Sequence, residues 1–150
     1  MPLEIVTAPM EFAGEARSVF LAGGITGCED WQTELCALLR DVELVVLNPR
    51  RADFDLHDPS VSVGQIEWEF RHLRRAWLRA FWFPPQTLCP ITLFELGAWS
   101  AGDAPLCVGV HPDYARKLDV HHQLRLVRPD VTVVDSLSAL ANDIRRLTLQ

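Results

Sequence analysis

Residues 18–31, SVFLAGGITGCEDW, join a short apolar run to two adjacent glycines and then to a polar turn that contains two acids. An apolar run without alternating polar residues is typical of a strand that is buried on both faces, as in a parallel sheet. The glycines end the strand and let the backbone turn into the next segment. The sequence therefore predicts the first strand–loop–helix unit of a wound α/β sheet.

The rest of the chain repeats this alternation. Strands are predicted over residues 18–23, 43–49, 77–84, 105–112 and 131–135. Apolar residues spaced three and four apart predict helices over residues 29–40, 62–75, 92–102 and 136–150, and more weakly over 113–124. We expect a flavodoxin-like, doubly wound parallel sheet of about five strands in three α/β/α layers. The segment LEIVTAP adds either an edge strand or an arm onto a neighbouring subunit.

The helix predicted over residues 62–75 carries apolar residues on more than one side. Ile66, Phe70 and Leu73 form a stripe at helical spacing, and we expect this stripe to face the sheet. Trp68 falls on the opposite side of the helix, where a monomer would leave it in water. We therefore expect Trp68 at a contact between subunits.

Length and composition indicate the class of protein. The chain has 150 residues, of which 49% are hydrophobic and 23% charged, which fits one globular domain over residues 1–150. No apolar run approaches the roughly 20 residues that span a bilayer. The N-terminus is acidic and its apolar runs are short, so it does not resemble a signal peptide. We therefore expect a cytoplasmic protein that is not bound to a membrane.

Charge and cysteine content exclude further classes. The net charge of −6 gives no basis for binding a nucleic-acid backbone. The four cysteines have neither CxxC nor Cys/His metal spacing, so we expect reduced thiols and no metal site.

The glycine loop has several interpretations. Ala22, Gly24 and Gly27 nearly match the dinucleotide fingerprint, but alanine stands where its first glycine belongs. The second strand leads to NPRR instead of the acid that would bind a ribose, which leaves only a weak case for NADP. The absence of a Lys-Ser or Lys-Thr pair excludes a P-loop. In the structural alternative, the glycines simply turn the strand into a helix capped by Thr26.

Two glutamates are candidates for chemistry, and each has a structural alternative. Glu95, in CPITLFELG, is expected to face a pocket, where the N-terminus of its helix would keep it ionised. Thr92 and Glu95 also fit a capping box. Glu69 flanks the apolar stripe and can reach the sheet edge, or it pairs at the surface with Arg74 or Arg75.

Other chemistry-bearing residues are less specific. Asp53, Asp55, His57 and Asp58 share one loop, and they could equally form turns. No arrangement resembling a hydrolase triad is found. Two carboxylates from separate segments near a glycine-rich floor suit glycosyl transfer: one attacks the anomeric carbon to form a sugar ester, and another acid or a water relay moves protons.

Five blocks of sequence, taken in order, resemble the nucleoside 2-deoxyribosyltransferase-like family. They are VFLAGGITG, VVLNPRR, QIEWEFRHLRRA, FWFPPQTLCPITLFELG and VGVHPDYARKLDV. The likeness is strongest to the branch that carries a WE pair, an FWFP strand and a CPIT-x-x-ELG helix, and it covers about residues 17–125. It implies a flavodoxin-like fold, in agreement with the residue pattern.

The resemblance also implies a mechanism and a set of site residues. Glu95 is the nucleophile that attacks C1′ of a 2′-deoxynucleoside, and Glu69 helps to protonate the departing base. A second base, or water in hydrolytic relatives, then takes the sugar. The residues implied to bind substrate are Ala22, Gly23, Gly24, Ile25, Asn48 and Arg50, with Asp119 from a neighbouring subunit.

The implied partners are nucleosides and nucleobases, without a cofactor, and the implied assembly is a homo-oligomer, either a dimer or a trimer of dimers. Cys89 stands where better-known transferases have an aspartate six residues before the nucleophile, so Thr87, Thr92 or a subunit neighbour must replace it. Two alternatives remain open. One is a nucleoside 5′-monophosphate hydrolase that uses Arg50 and Arg51 as a phosphate clamp. The other is a non-catalytic nucleotide-binding module.

Overall fold

A computed structural model describes residues 2–52 and 58–150 of the chain, and these ranges contain six strands and five helices. The strands are β1 (Glu4–Thr7), β2 (Ser18–Gly23), β3 (Val45–Asn48), β4 (Leu78–Phe83), β5 (Leu106–Val110) and β6 (Val133–Val134). The helices are α1 (Trp31–Leu38), α2 (Pro59–Arg75), α3 (Pro90–Ser100), α4 (Lys117–Val127) and α5 (Leu137–Thr148). Within these ranges, no helix is both long and apolar enough to cross a membrane.

The strands form one parallel sheet in the order β1-β3-β2-β4-β5-β6. Without β1, this is the strand order of the flavodoxin-like fold, so the predicted fold class is confirmed. β1 pairs with β3 from Glu4 opposite Val45 to Thr7 opposite Asn48, which makes the N-terminal segment an edge strand. The order changes direction between β2 and β4, where the loops that follow the two strands separate and leave a crevice.

Helices cover both faces of the sheet and create two cores. Side chains alternate along β2, so Phe20 packs on one face while Val19 and Leu21 pack on the other. The first core includes residues of α2, α3 and α4, and the second includes residues of α1 and α5. Since α2 and α3 lie on the same face, their side chains can meet at the carboxyl ends of β2 and β4.

The predicted orientation of α2 is wrong. Trp68 is 1% exposed and belongs to the core, whereas Ile66 and Phe70 are 63% and 61% exposed. Leu73 is buried as expected, and it shares the inner face of α2 with Gln65 and Trp68. The stripe that was expected to face the sheet is therefore largely on the outer face.

A distant segment of the chain explains why this face of α2 is buried. The Trp68 indole N–H donates to the Met10 carbonyl at 2.7 Å. The His72 ring stacks on Trp68 with centroids 4.0 Å apart, and its Nε2 accepts from the Phe12 backbone N–H at 3.0 Å. The polar atoms of both rings thus have partners, which removes most of the cost of burying them.

This orientation predicts opposite effects of two substitutions on α2. Trp68→Ala should lower the free energy of unfolding by about 3–5 kcal/mol, as expected for the loss of a buried aromatic ring. Phe70→Ala should change it by no more than about 0.5 kcal/mol, because the ring is mostly exposed. Urea unfolding at a protein concentration where the chain is monomeric measures both. A larger loss for Phe70→Ala than for Trp68→Ala would contradict the assigned orientation.

Candidate active site

A cavity of about 340 Å³ lies at the carboxyl ends of β2 and β4, where the strand order reverses. Its walls come from the loop after β2, the loop after β3, α2, the loop after β4 and the beginning of α3. The lining residues are Gly23, Gly24, Ile25, Thr26, Pro49, Arg51, Ser62, Gln65, Ile66, Glu69, Thr87, Cys89, Pro90, Ile91, Thr92 and Glu95. The volume is in the range of sites for small molecules.

Two carboxyl groups from different helices meet in this cavity. Burial, and to a smaller extent the charge on Glu69, raises the pKa of Glu95 to about 8. Burial raises the pKa of Glu69 to about 7, although a hydrogen bond from the Gln65 side chain acts in the opposite direction. Near neutral pH, such a pair can hold one proton and one negative charge between its two members. It can therefore supply an acid and a nucleophile at the same time.

Glu95 lines the cavity as expected, but the capping box and the effect of the helix N-terminus on its pKa were predicted wrongly. Helix α3 begins at Pro90, and its N-cap is Cys89 with φ 51° and no side-chain capping bond. Thr92 therefore lies inside the first turn, where it is buried and lines the cavity, so it forms no capping box with Glu95. The pKa of Glu95 is raised, not lowered, because desolvation outweighs a helix-terminus effect that fades within one turn.

The two adjacent glycines form part of the cavity wall because neighbouring groups leave no space for side chains. A methyl group added at Gly23 would overlap the Trp31 ring and lie 2.5 Å from the Trp82 carbonyl oxygen. A methyl group at Gly24 would lie 2.5 Å from the Cys28 sulfur and 2.9 Å from the Cys89 sulfur. Since side chains do not fit at these two positions, this part of the wall is thin and consists of backbone alone.

The loop after β2 does not start the next helix where the sequence predicted. Thr26 is exposed and lines the cavity, and Gly27 takes a left-handed turn with φ 76°. Helix α1 is capped four residues after Thr26 by Asp30, whose Oδ1 accepts from the Thr33 backbone N–H at 3.2 Å. The assignment of Thr26 as the helix cap is wrong.

Of the residues implied to bind substrate, Gly23, Gly24 and Ile25 line the cavity together with the two glutamates. Ala22 is buried within β2 and does not line it. The Asn48 side chain accepts from the Arg50 backbone N–H at 3.0 Å and shapes the turn after β3. Ala22 and Asn48 therefore support the loops around the cavity without lining it.

Arg50 and Asp119 also lie outside the cavity wall. The Arg50 guanidinium donates to the carbonyl oxygens of Cys28 and Glu29 at 2.8 and 2.7 Å, which fixes the loop after β2. Asp119, on α4, pairs with Arg116 at 2.9 Å. A role for Asp119 in the cavity of a neighbouring subunit stays a prediction.

Comparison of the sequence with known protein families is consistent with a small-molecule site of this kind. A family model described as nucleoside 2-deoxyribosyltransferase like matches residues 16–114. The chain belongs to this family. The matched range runs from before β2 to beyond β5 and contains both Glu69 and Glu95. Membership of the nucleoside 2-deoxyribosyltransferase-like family indicates an enzyme of the glycosyltransferase type. No curated protein matches the chain.

Some residues around the cavity were not identified from the sequence. They are Gln65, Ile66 and Ile91. Of the two arginines named for the hydrolase alternative, Arg51 lines the cavity and Arg50 does not. Gln65 lies four residues before Glu69 and therefore on the same side of α2, which is a signal that helical spacing offers. The assumed orientation of α2 concealed this signal.

The acidic loop before α2 is only partly described. Asp58 caps α2, since its side chain accepts from the Ser60 backbone N–H at 2.9 Å. Asp53, Asp55 and His57 lie outside the described residues. Across residues 2–52 and 58–150, no group of three or more His, Cys, Asp or Glu side chains is placed to hold a metal ion.

The raised pKa values predict how stability depends on pH. The pKa of Glu95 is about 8 in the folded chain and near 4.5 when exposed, so the folded form holds its proton more tightly. Raising the pH from 5 to 8 should therefore lower the free energy of unfolding. Glu95→Gln should match wild type at pH 5 and melt at least about 2–4 °C higher at pH 8, the shift that 1 kcal/mol gives a domain of this size.

Calorimetric melting at the two pH values measures this difference. Glu67→Gln is the matched control, because Glu67 lies on α2 but is exposed and does not line the cavity. It should follow wild type at both pH values. Equal melting temperatures for Glu95→Gln and wild type at pH 8 would show that the Glu95 carboxyl is not desolvated.

Proposed function

We propose that the protein exchanges nucleobases on 2′-deoxynucleosides through a covalent deoxyribosyl-glutamate intermediate. The observation that carries the proposal is the meeting of Glu69 and Glu95 in one small-molecule cavity at the switch point of the sheet. The family supports the chemistry, since the chain belongs to the nucleoside 2-deoxyribosyltransferase-like proteins. The reaction uses side chains alone and needs no cofactor.

In the first half of the proposed reaction, a carboxylate oxygen of Glu95 attacks C1′ of the deoxyribose. The C1′–N glycosidic bond breaks, and its electron pair goes to the base nitrogen. The proton on Glu69 passes to the departing base, which leaves as a neutral molecule. Of the two ways to place one proton on the coupled pair, the reactive one has the proton on Glu69 and the charge on Glu95.

In the second half, a nitrogen of an incoming base attacks C1′ of the glutamyl ester. The C1′–O bond breaks, and its electron pair returns to Glu95. The proton lost by the incoming nitrogen goes to Glu69, which restores the starting form of the pair. Water can replace the base in this step, and the product is then free deoxyribose.

Thr92 is the side chain best placed to take over from the aspartate that Cys89 replaces. It is 4% exposed, lines the cavity and lies one helical turn before Glu95. Thr87 has a different role, because its hydroxyl contacts the Cys28 and Cys89 sulfurs at 3.5 and 3.4 Å and accepts from the Cys89 N–H. Thr87 thus shapes the turn before α3, while Thr92 is available to a sugar hydroxyl.

A second candidate function is hydrolysis of a nucleoside 5′-monophosphate. The observation that favours it is Arg51, which lines the cavity and is a residue type that suits a phosphate. Arg50 contributes less to this alternative, because it lies outside the cavity wall and holds the loop after β2. The two functions differ in their response to an acceptor base, which only a transferase uses.

The proposal predicts that Glu95→Ala abolishes base exchange. Loss of the nucleophile should lower the rate at least about 10³-fold, because no covalent intermediate can form. Chromatography of reactions with deoxynucleosides, and separately with their 5′-monophosphates, each with and without acceptor base, measures this. Glu67→Ala is the control and should exchange bases at the wild-type rate.

Each other outcome of this assay contradicts either the exchange reaction or the role assigned to Glu95. Exchange by Glu95→Ala at the wild-type rate would exclude Glu95 as the nucleophile. Hydrolysis of monophosphates that ignores the acceptor would support the second candidate function. Binding without either reaction would identify a non-catalytic module.

We further propose a homo-oligomer that forms through the outer faces of α2 and α3. Large apolar side chains are exposed there, close to the cavity mouth: Val63, Ile66 and Phe70 on α2, and Ile91 and Phe94 on α3. A patch of this kind on a folded domain marks a contact surface. A second copy seated there would approach the cavity, where Asp119 or another partner residue could complete it.

Light scattering tests this assembly. Wild type should have the mass of two or more chains of 16.9 kDa each, and Phe94→Glu should lower it to the mass of a single chain. Leu126→Glu is the control, since Leu126 is equally exposed but lies on α4. A single-chain mass for wild type would exclude the oligomer, and dissociation by Leu126→Glu alone would exclude this surface.

A further inference from the structure

Gln65 lines the cavity and has one polar atom without a partner. The side chain is 8% exposed, and its Nε2 donates to the Pro49 carbonyl oxygen at 2.7 Å. Gln65 also lies near Glu69, one helical turn further along α2, and both residues line the cavity. Its Oε1 is shielded from solvent and accepts no hydrogen bond from the described residues.

The orientation of this amide is fixed by its neighbours. Turning the group over would place Oε1 against the Pro49 carbonyl oxygen, and two acceptors cannot bond to each other. Oε1 is therefore held as an acceptor while Nε2 is bonded to the Pro49 carbonyl oxygen. A buried acceptor without a donor is costly, and a donor on a ligand would remove that cost.

Gln65 and Glu69 together present a defined pattern to a ligand. When Glu69 carries a proton it is a hydrogen-bond donor, and the Gln65 Oε1, from one helical turn earlier on the same side of α2, is an acceptor. A ligand edge that matches this pair has an acceptor next to a donor. Because Oε1 is shielded, the ligand must displace the atoms that cover it, so this contact belongs to the substrate-bound form.

We propose that Gln65 selects nucleobases with an exocyclic amino group beside the ring nitrogen that receives the proton of Glu69. This inference rests on the proposed function, in which Glu69 protonates the leaving base. Adenine presents N7 as an acceptor and its 6-amino group as the adjacent donor. A 6-oxopurine presents two acceptors on the same edge, so its O6 would face the Gln65 Oε1 without a hydrogen.

Deoxyadenosine and deoxyinosine test the inference, because they share the sugar and the N7 acceptor and differ in the 6-amino or 6-oxo group and in the hydrogen on N1. Wild type should have a kcat/KM for deoxyadenosine at least about 10-fold above that for deoxyinosine, within the range that one specific base contact supplies. Gln65→Met should reduce this ratio to about 2-fold or less, since it removes Oε1 and keeps the length of the side chain. Glu67→Gln, on the same helix but outside the cavity, should keep the wild-type ratio.

The ratio of the two kcat/KM values distinguishes base selection by Gln65 from a general structural role. A loosened fold would slow the reaction of both nucleosides to the same extent and leave the ratio unchanged. Equal kcat/KM values for the two nucleosides in wild type would overturn the inference, even if Gln65→Met does not fold. An unchanged ratio in a folded Gln65→Met would also overturn it. Failure to turn over any deoxynucleoside would instead overturn the proposed function. In that case, calorimetric titration of wild type with adenine and with hypoxanthine decides the inference, which requires tighter binding of adenine.

Discussion

The burial of two carboxyl groups in one cavity is the constraint on which the site depends. Glu69 and Glu95 come from helices that lie on the same face of the sheet, and each side chain is partly removed from water. Their mutual repulsion makes it costly for both to be ionised at once.

Contacts with neighbouring side chains fix the loop after β2 and so maintain the shape of the cavity. Trp31 donates from its indole N–H to the Gly24 carbonyl oxygen at 2.9 Å and packs where a side chain on Gly23 would lie. Arg50 ties the same loop from the other side through the Cys28 and Glu29 carbonyl oxygens. Residues that the family resemblance placed in the pocket thus divide into those that line it and those that support its walls.

The order of elements and the position of the site were predictable from the sequence. Apolar strands that alternate with helical segments define a wound sheet, and its switch point identifies the segments that contain Gly24 and Glu95. The orientation of α2 was not predictable, because its apolar residues lie on two sides and the choice depends on Met10 and Phe12, about 60 residues away. The raised pKa of Glu95 likewise depends on burial by other elements, which local helix rules do not describe.

The most direct test of the account is mass spectrometry of the protein trapped with a deoxynucleoside whose sugar forms a long-lived ester. The account predicts an adduct with the mass of one deoxyribosyl group, located by proteolysis to Glu95, in wild type and in Glu67→Gln. Glu69→Gln should form the adduct more slowly, since the departing base then lacks its proton donor. An adduct on another residue, or turnover of deoxynucleosides without an adduct, would contradict the assignment of Glu95 as the nucleophile.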